Sequence, residues 1–197
     1  MIWLIAGFLK KSSLISLKKS EKACRGGGVY VYNEEIQNDF DMAERQFVTF
    51  YLGSDLYGID IILVREVYPN FDVTVVDDAP RCIRGLLNLR GQIVTVIDLG
   101  VRLDLGERKI FPTSSCIVLK TASEIDEAFA SSTTTELVGL LVDKIGDVVS
   151  VDSKAIAPPP AHTAGVQGKF LEGVVKMDDR LLILLKSSEI LSVKDIN

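Results

Sequence analysis

The chain has 197 residues, 47% of them hydrophobic and 25% charged. That is enough for one ordinary domain or two small ones, and it excludes a disordered or collagen-like chain. The net charge of −5 conceals an asymmetry, because residues 1–33 carry six basic side chains against the single acid Glu21 while the body from Gln46 onward comes to about −6. An acidic body repels phosphate, so nucleic-acid binding is excluded as the main role.

The first segment, Met1 to Leu9, is apolar but short, and Lys10-Lys11 follows at once. A spanning helix needs about twenty apolar residues, and a secretory signal carries its charge before the apolar run. No direct membrane insertion is therefore expected, although basic residues beside an apolar run are also the composition of an interfacial anchor. Arg25-Gly26-Gly27-Gly28 and the acidic stretch Glu34–Asp41 read as linker. Residues 1–45 are accordingly read as an N-terminal extension, disordered or upstream of a true start at Met42.

From Phe47 the pattern is one of short β-branched and aromatic runs divided by turns. Phe47–Leu52 is followed by the turn Gly53-Ser54-Asp55 and by Leu56–Ile59. Ile61–Val64, Val73–Val76, Gly85–Leu89, Gln92–Ile97, Cys116–Lys120, Leu137–Val142, Val148–Val151, Leu171–Met177 and Leu181–Leu185 continue it. Asp98, before Leu99–Leu103, reads as the cap of one helical turn. Thr121–Thr135 has no clear period and reads as a loop. Long amphipathic helices are absent, so the pattern predicts small barrels or sandwiches.

The body also repeats itself. Tyr57–Val67 is echoed by Val138–Val148, with glycine, apolar positions and the acid before the last valine in register. Gly85–Ile97 is echoed by Gly173–Leu185, each an apolar strand, a polar turn (Arg90-Gly91, Asp178-Asp179) and another apolar strand. A duplication of this kind predicts two small subdomains that bury apolar residues between them.

Chemistry-bearing residues are sparse. Cys24, Cys82 and Cys116 lie far apart in an odd number, which excludes a disulfide framework or zinc site and fits a reducing cytoplasm. His162 is the sole histidine and follows a triple proline. With no second histidine, G-x-S-x-G elbow or P-loop, no catalytic, metal-binding or cofactor-binding set is identified and the chain is expected not to be an enzyme. Asp143 and Asp147 read as strand-end acids.

Taken in order, Tyr57-Gly58-Ile59-Asp60-Ile61, Val64-x-Glu66-Val67, Pro80-x-x-Ile83-x-Gly85, Asn88-Leu89-Arg90-Gly91 and Val96-Ile97-Asp98-Leu99 resemble CheW-type chemotaxis coupling proteins. So do Val138–Asp143, Ile156-x-Pro158-Pro159-Pro160 and Asp179–Leu184. The resemblance runs from Phe47 to about Leu191. It implies an all-β fold of two SH3-like five-stranded barrels packed together, with short helical turns. Residues 46–112 are expected to form the first barrel and 113–197 the second, the whole of 46–197 being one CheW-like domain. It implies an adaptor without turnover or cofactor, whose partners are the regulatory domain of a CheA-type histidine kinase and the cytoplasmic tip of methyl-accepting chemoreceptors. It also implies a cytoplasmic location and ring or array assembly beneath receptors. An adaptor of a sister pathway controlling pili or another output, and a small-molecule-binding barrel, are the alternatives. Without a receiver domain after Asn197, the stand-alone adaptor is favoured over the related CheV type.

The implied contact residues are Arg90, on the hairpin tip, and Glu66, with Asn88 in the same turn motif. Val64, Leu86 and Val142 are apolar candidates, each equally readable as core. The resemblance departs at Thr95, where the family usually has proline, so that an N–H donor is restored. Thr121–Glu136 is also longer than in compact members.

Overall fold

Alternating and fully apolar runs divide the chain into twelve strands in the computed structural model, which describes residues 44–159, 162–163 and 165–192. The expectations for residues 1–43, including the start at Met42 and the interfacial anchor, lie outside these. Glu44 and Arg45, assigned above to the extension, open the first strand.

The order is β1 (Glu44–Leu52), β2 (Asp55–Asp60), β3 (Val64–Pro69), β4 (Ile83–Leu89), β5 (Gln92–Asp98), the helical turn α1 (Leu99–Arg102) and β6 (Ser115–Leu119). Then come β7 (Val138–Val142), β8 (Lys144–Asp152), the short β9 (His162–Thr163) and β10 (Val166–Gln167), β11 (Leu171–Lys176), β12 (Leu181–Leu185) and α2 (Ser187–Ile190). Two expected strands are corrected. Ile61–Leu63 is a 3-10 turn, begun where the Asp60 carboxylate accepts the Ile62 N–H at 3.0 Å, so the strand starts at Val64 and Glu66 lies inside it. Val73–Val76 contributes only the isolated bridge from Thr74 to Leu86, with Val75 exposed.

Ten of the strands form two five-stranded sheets, ordered β11-β12-β2-β1-β8 and β3-β6-β7-β5-β4, and β9 and β10 pair with each other alone. These are the two SH3-like barrels, and the orders correspond strand for strand. Each sheet has one parallel pair in the same place, β12 with β2 and β5 with β7. The repeat is therefore structural, but its units are not the barrels. Hairpin β1–β2 joins the sheet of β8, β11 and β12, whereas β6 and β7 join β3, β4 and β5. The expected division at residues 112/113 is thus replaced by one barrel spanning β3 to β7 and another whose sheet is built from β1–β2 plus β8, β11 and β12. The cause is local: only Asp143 separates β7 from β8, too short a link for β8 to fold back beside its predecessor, so the chain crosses into the other sheet.

The repeated glycines mark a close approach. At Gly85, φ is +144° and an added Cβ would collide with the Thr74 carbonyl; at Gly173 it would meet Ile156 and the Ala157 carbonyl. Each is the site where a connecting segment bridges the sheet, Thr74 to Leu86 and Ala157 to Val174.

Alternation along the strands sends side chains to three cores. Leu87, Leu89, Val94, Val96, Cys116, Val118 and Leu141 fill one barrel. Phe47, Leu56, Val151, Val175, Leu182 and Leu184 fill the other. The opposite faces of the same strands, among them Val48, Phe50, Tyr57, Ile117, Leu140, Val142 and Ile183, form the largest core, shared by the barrels. A strand such as β7, buried at every residue, therefore reads as an unbroken apolar run.

Polar groups lock the two halves. Asp98 Oδ1 accepts the Val101 N–H at 3.1 Å, capping α1 as expected, and Oδ2 accepts that of Arg108 at 2.9 Å. Asp143 accepts the Gly53 N–H at 2.7 Å and pairs with Arg108 at 3.3 Å. The buried Arg102 on α1 donates to the carbonyls of Glu189, Ile190 and Ser192, satisfying the orphan acceptors at the end of α2. The N–H gained at Thr95 donates to Leu137 O at 3.0 Å.

Candidate functional site

Hairpin β4–β5 turns through Arg90-Gly91, with φ of 54° and 87°. Positive φ at both central residues gives a tight turn whose twist suits a hairpin and whose usual first residue is Asn, Asp or Gly. An arginine there costs on the order of 1 kcal/mol of backbone strain, an outlier that points toward use rather than turn chemistry. Asn88 closes the turn, its Oδ1 accepting the Gly91 N–H at 2.9 Å.

The tip leans on β3. The Arg90 guanidinium carbon lies 6.0 Å above the centre of the Tyr68 ring, and Arg65 Nη2 donates to Gln92 Oε1 at 3.0 Å. Glu66 pairs with Val118 and Tyr68 with Cys116, so Glu66 and Tyr68 share one face of the strand. Arg90 is exposed and Glu66 half-buried, and among the described residues neither forms an ion pair. On the outer face of the hairpin, Leu86 is half-buried opposite Thr95, and Ile93, 56% exposed, stands opposite Asn88.

Arg90 and Asn88 share the hairpin tip, which leans on the strand that carries Glu66, while Leu86 lies on the outer face of the hairpin and the other two candidates are buried. Val64 is 7% and Val142 0% exposed, both in the shared core, so neither side chain presents a surface. The face of an apolar strand residue is set by register, which the residue type alone does not reveal. Tyr68, Arg65, Gln92 and Ile93 complete the site and were not singled out from the sequence. One signal was available: Ile93 aligns with Leu181 in the hairpin repeat, and both are exposed.

One other charged cluster is internally matched. In the cleft beside β1, Arg45 donates to Asp60, at 2.8 and 3.2 Å, and to Glu172. Burial pushes the Cys116 thiol up to about 12 and raises that of Cys82, so neither supplies a thiolate nucleophile at neutral pH. Among the described residues no cluster of three His, Cys, Asp or Glu could hold a metal ion, and no helix is long and apolar enough to cross a membrane.

The CheW-like domain family matches residues 46–195. The chemotaxis protein CheW of Treponema pallidum (strain Nichols) is 31% identical over 152 residues, covering 77% of this chain and 84% of the relative. That of Klebsiella aerogenes matches with the same identity and coverage. The crystal structure of the scaffolding protein TtCheW from Thermoanaerobacter tengcongensis superposes with a TM-score of 0.64 at 33% identity, covering 76% of this chain and 88% of that one.

Proposed function

The chain belongs to the CheW-like family, and serves as a scaffold in chemotaxis signalling; from that premise we propose that it works without turnover, joining a CheA-type histidine kinase to the cytoplasmic tip of methyl-accepting chemoreceptors. The kinase contact is assigned to its regulatory domain. The protein would act in the cytoplasm beneath receptor arrays, in ring-like assembly with the kinase.

The observation that carries this reading is the mouth of the β3–β7 barrel. Arg90 is held in a strained backbone over Tyr68, which shares a face of β3 with Glu66, and among the described residues neither charge forms an ion pair. A planar guanidinium offers several donors at once to a partner's carboxylate or carbonyls. Ile93 and Leu86 supply apolar area beside it, the usual make-up of an interface whose energy resides in a few side chains.

The test is a pull-down and titration calorimetry against both partners, with Arg90→Ala and Glu66→Ala beside wild type. Arg90→Ala should weaken binding about tenfold or more, because truncating an anchoring arginine commonly costs above about 1.4 kcal/mol. Its melting temperature should stay unchanged, since no internal ion pair is lost. Wild type binding neither partner would end the adaptor reading. A silent Arg90→Ala would end only the assignment of this site.

A further inference from the structure

Arg65 reaches the docking surface described above from an irregular position in its strand. Val64 pairs with Leu119 and Glu66 with Val118, so two steps along β3 meet one along β6 and Arg65 is the extra residue of a β-bulge. A bulge takes a side chain out of the regular alternation and re-aims it. The Arg65 guanidinium reaches two ways from there. Nη2 donates to Gln92 Oε1 at 3.0 Å, at the first residue after the Arg90-Gly91 turn, and Nε stands 3.6 Å from Glu124 Oε1 in the long segment between β6 and β7.

That segment is itself built. The Glu124 carboxylate accepts the Thr121 N–H at 2.9 Å and the Thr121 hydroxyl at 3.0 Å. These bonds, the N–H first, together with the charges of Arg65 and Lys120, hold its carboxyl below the usual range. The Thr133 hydroxyl donates to Lys120 O, and Ile125 packs against the shared core. The segment is thus fixed at both ends, and Arg65 links it to the hairpin.

The duplicated barrel does without such a link. Gly146, which aligns with Arg65 in the repeat, has no side chain. Its hairpin is held from β1, where Arg180 Nη1 donates to the Tyr51 hydroxyl at 2.8 Å. A guanidinium strap on this side is therefore no requirement of the barrel, and it serves the half that carries Arg90.

We propose that Arg65 is a positioning residue for docking, strapping the 121–136 segment to the β4–β5 hairpin so that Arg90 is presented in one register. The proposal rests on the adaptor reading and specifies how its site is controlled. Both contacts of Arg65 are partly exposed, so they contribute little to global stability, and their effect falls on the geometry of the tip.

The experiment is a double-mutant cycle, with affinity for the regulatory domain of a CheA-type kinase measured by calorimetry on the full chain. Arg65→Met should weaken binding about three- to fivefold, the scale of one or two half-exposed polar contacts, at unchanged melting temperature. In an Arg90→Ala background it should add nothing. Gln92→Ala, which leaves Arg65 in place but removes its grip on the hairpin, should reproduce the loss and serves if Arg65→Met melts early. Arg65→Met or Gln92→Ala at wild-type affinity would overturn the proposal alone, as would a full Arg65→Met effect without Arg90. A wild-type chain that does not bind would overturn the adaptor reading together with it.

Discussion

Tyr57 is fully buried between the barrels, stacked on Phe50 with ring centres 6.1 Å apart, and its hydroxyl has no hydrogen-bond partner among the described residues. An orphaned buried hydroxyl costs rather than contributes, so Tyr57→Phe should be neutral or stabilising by about 1 kcal/mol. Burial also pushes its phenol up to about 12, against about 10 in an unfolded chain. The folded state keeps this proton longer than the unfolded one, so the contribution is complete below about pH 10 and is lost as pH rises toward 12. Urea midpoints of wild type and Tyr57→Phe should therefore diverge between those values. Cys116, also raised to about 12, leaves a slope in both proteins. Parallel curves would show that Tyr57 is not buried as described. Among single residues, charge was easier to read from the sequence than apolarity. Arg90 next to a turn glycine announces an exposed tip, and Asp98 before an apolar turn announces a cap. Val64 and Val142 gave no such sign, because a valine buried in a core and one buried in an interface look alike.

The elements were legible where turn chemistry and periodicity agreed, as in hairpins β4–β5 and β11–β12. Legibility failed where tertiary contacts decided. Val73–Val76 has strand composition, yet the chain there makes only one bridge, since the Gly85 backbone admits the Thr74 carbonyl and nothing longer. The bulge at Arg65 lies in strand pairing and is invisible to local pattern. The exchange of hairpins was hidden for a further reason: a repeat in sequence specifies equivalent strands, not which copy they pair with. This yields a prediction. Cutting the chain at residues 112/113 separates β1–β5 from β6–β12, and neither piece holds a complete sheet. Each should lack cooperative unfolding alone, and the mixed pieces should recover one cooperative transition. Independent folding of both pieces would contradict the exchanged topology.

In the whole molecule the shared core welds both barrels into one body, reinforced by Arg102 at the end of α2 and by the Arg108–Asp143 pair. A body of this kind suits a scaffold, because partners held on different surfaces keep a fixed relation. The family, the barrel fold and the scaffold role could be read from ordered motifs spread over the body. The composition of the docking face could not, since it joins β3 to a hairpin some twenty residues later in the chain. The central claim is that one chain bridges kinase and receptor. It is tested most directly by sedimenting purified protein with a CheA-type kinase and a chemoreceptor cytoplasmic tip, separately and together. The account predicts a ternary complex that forms with wild type and is depleted by Arg90→Ala. Binding to neither partner, or binding in which one displaces the other, would contradict it.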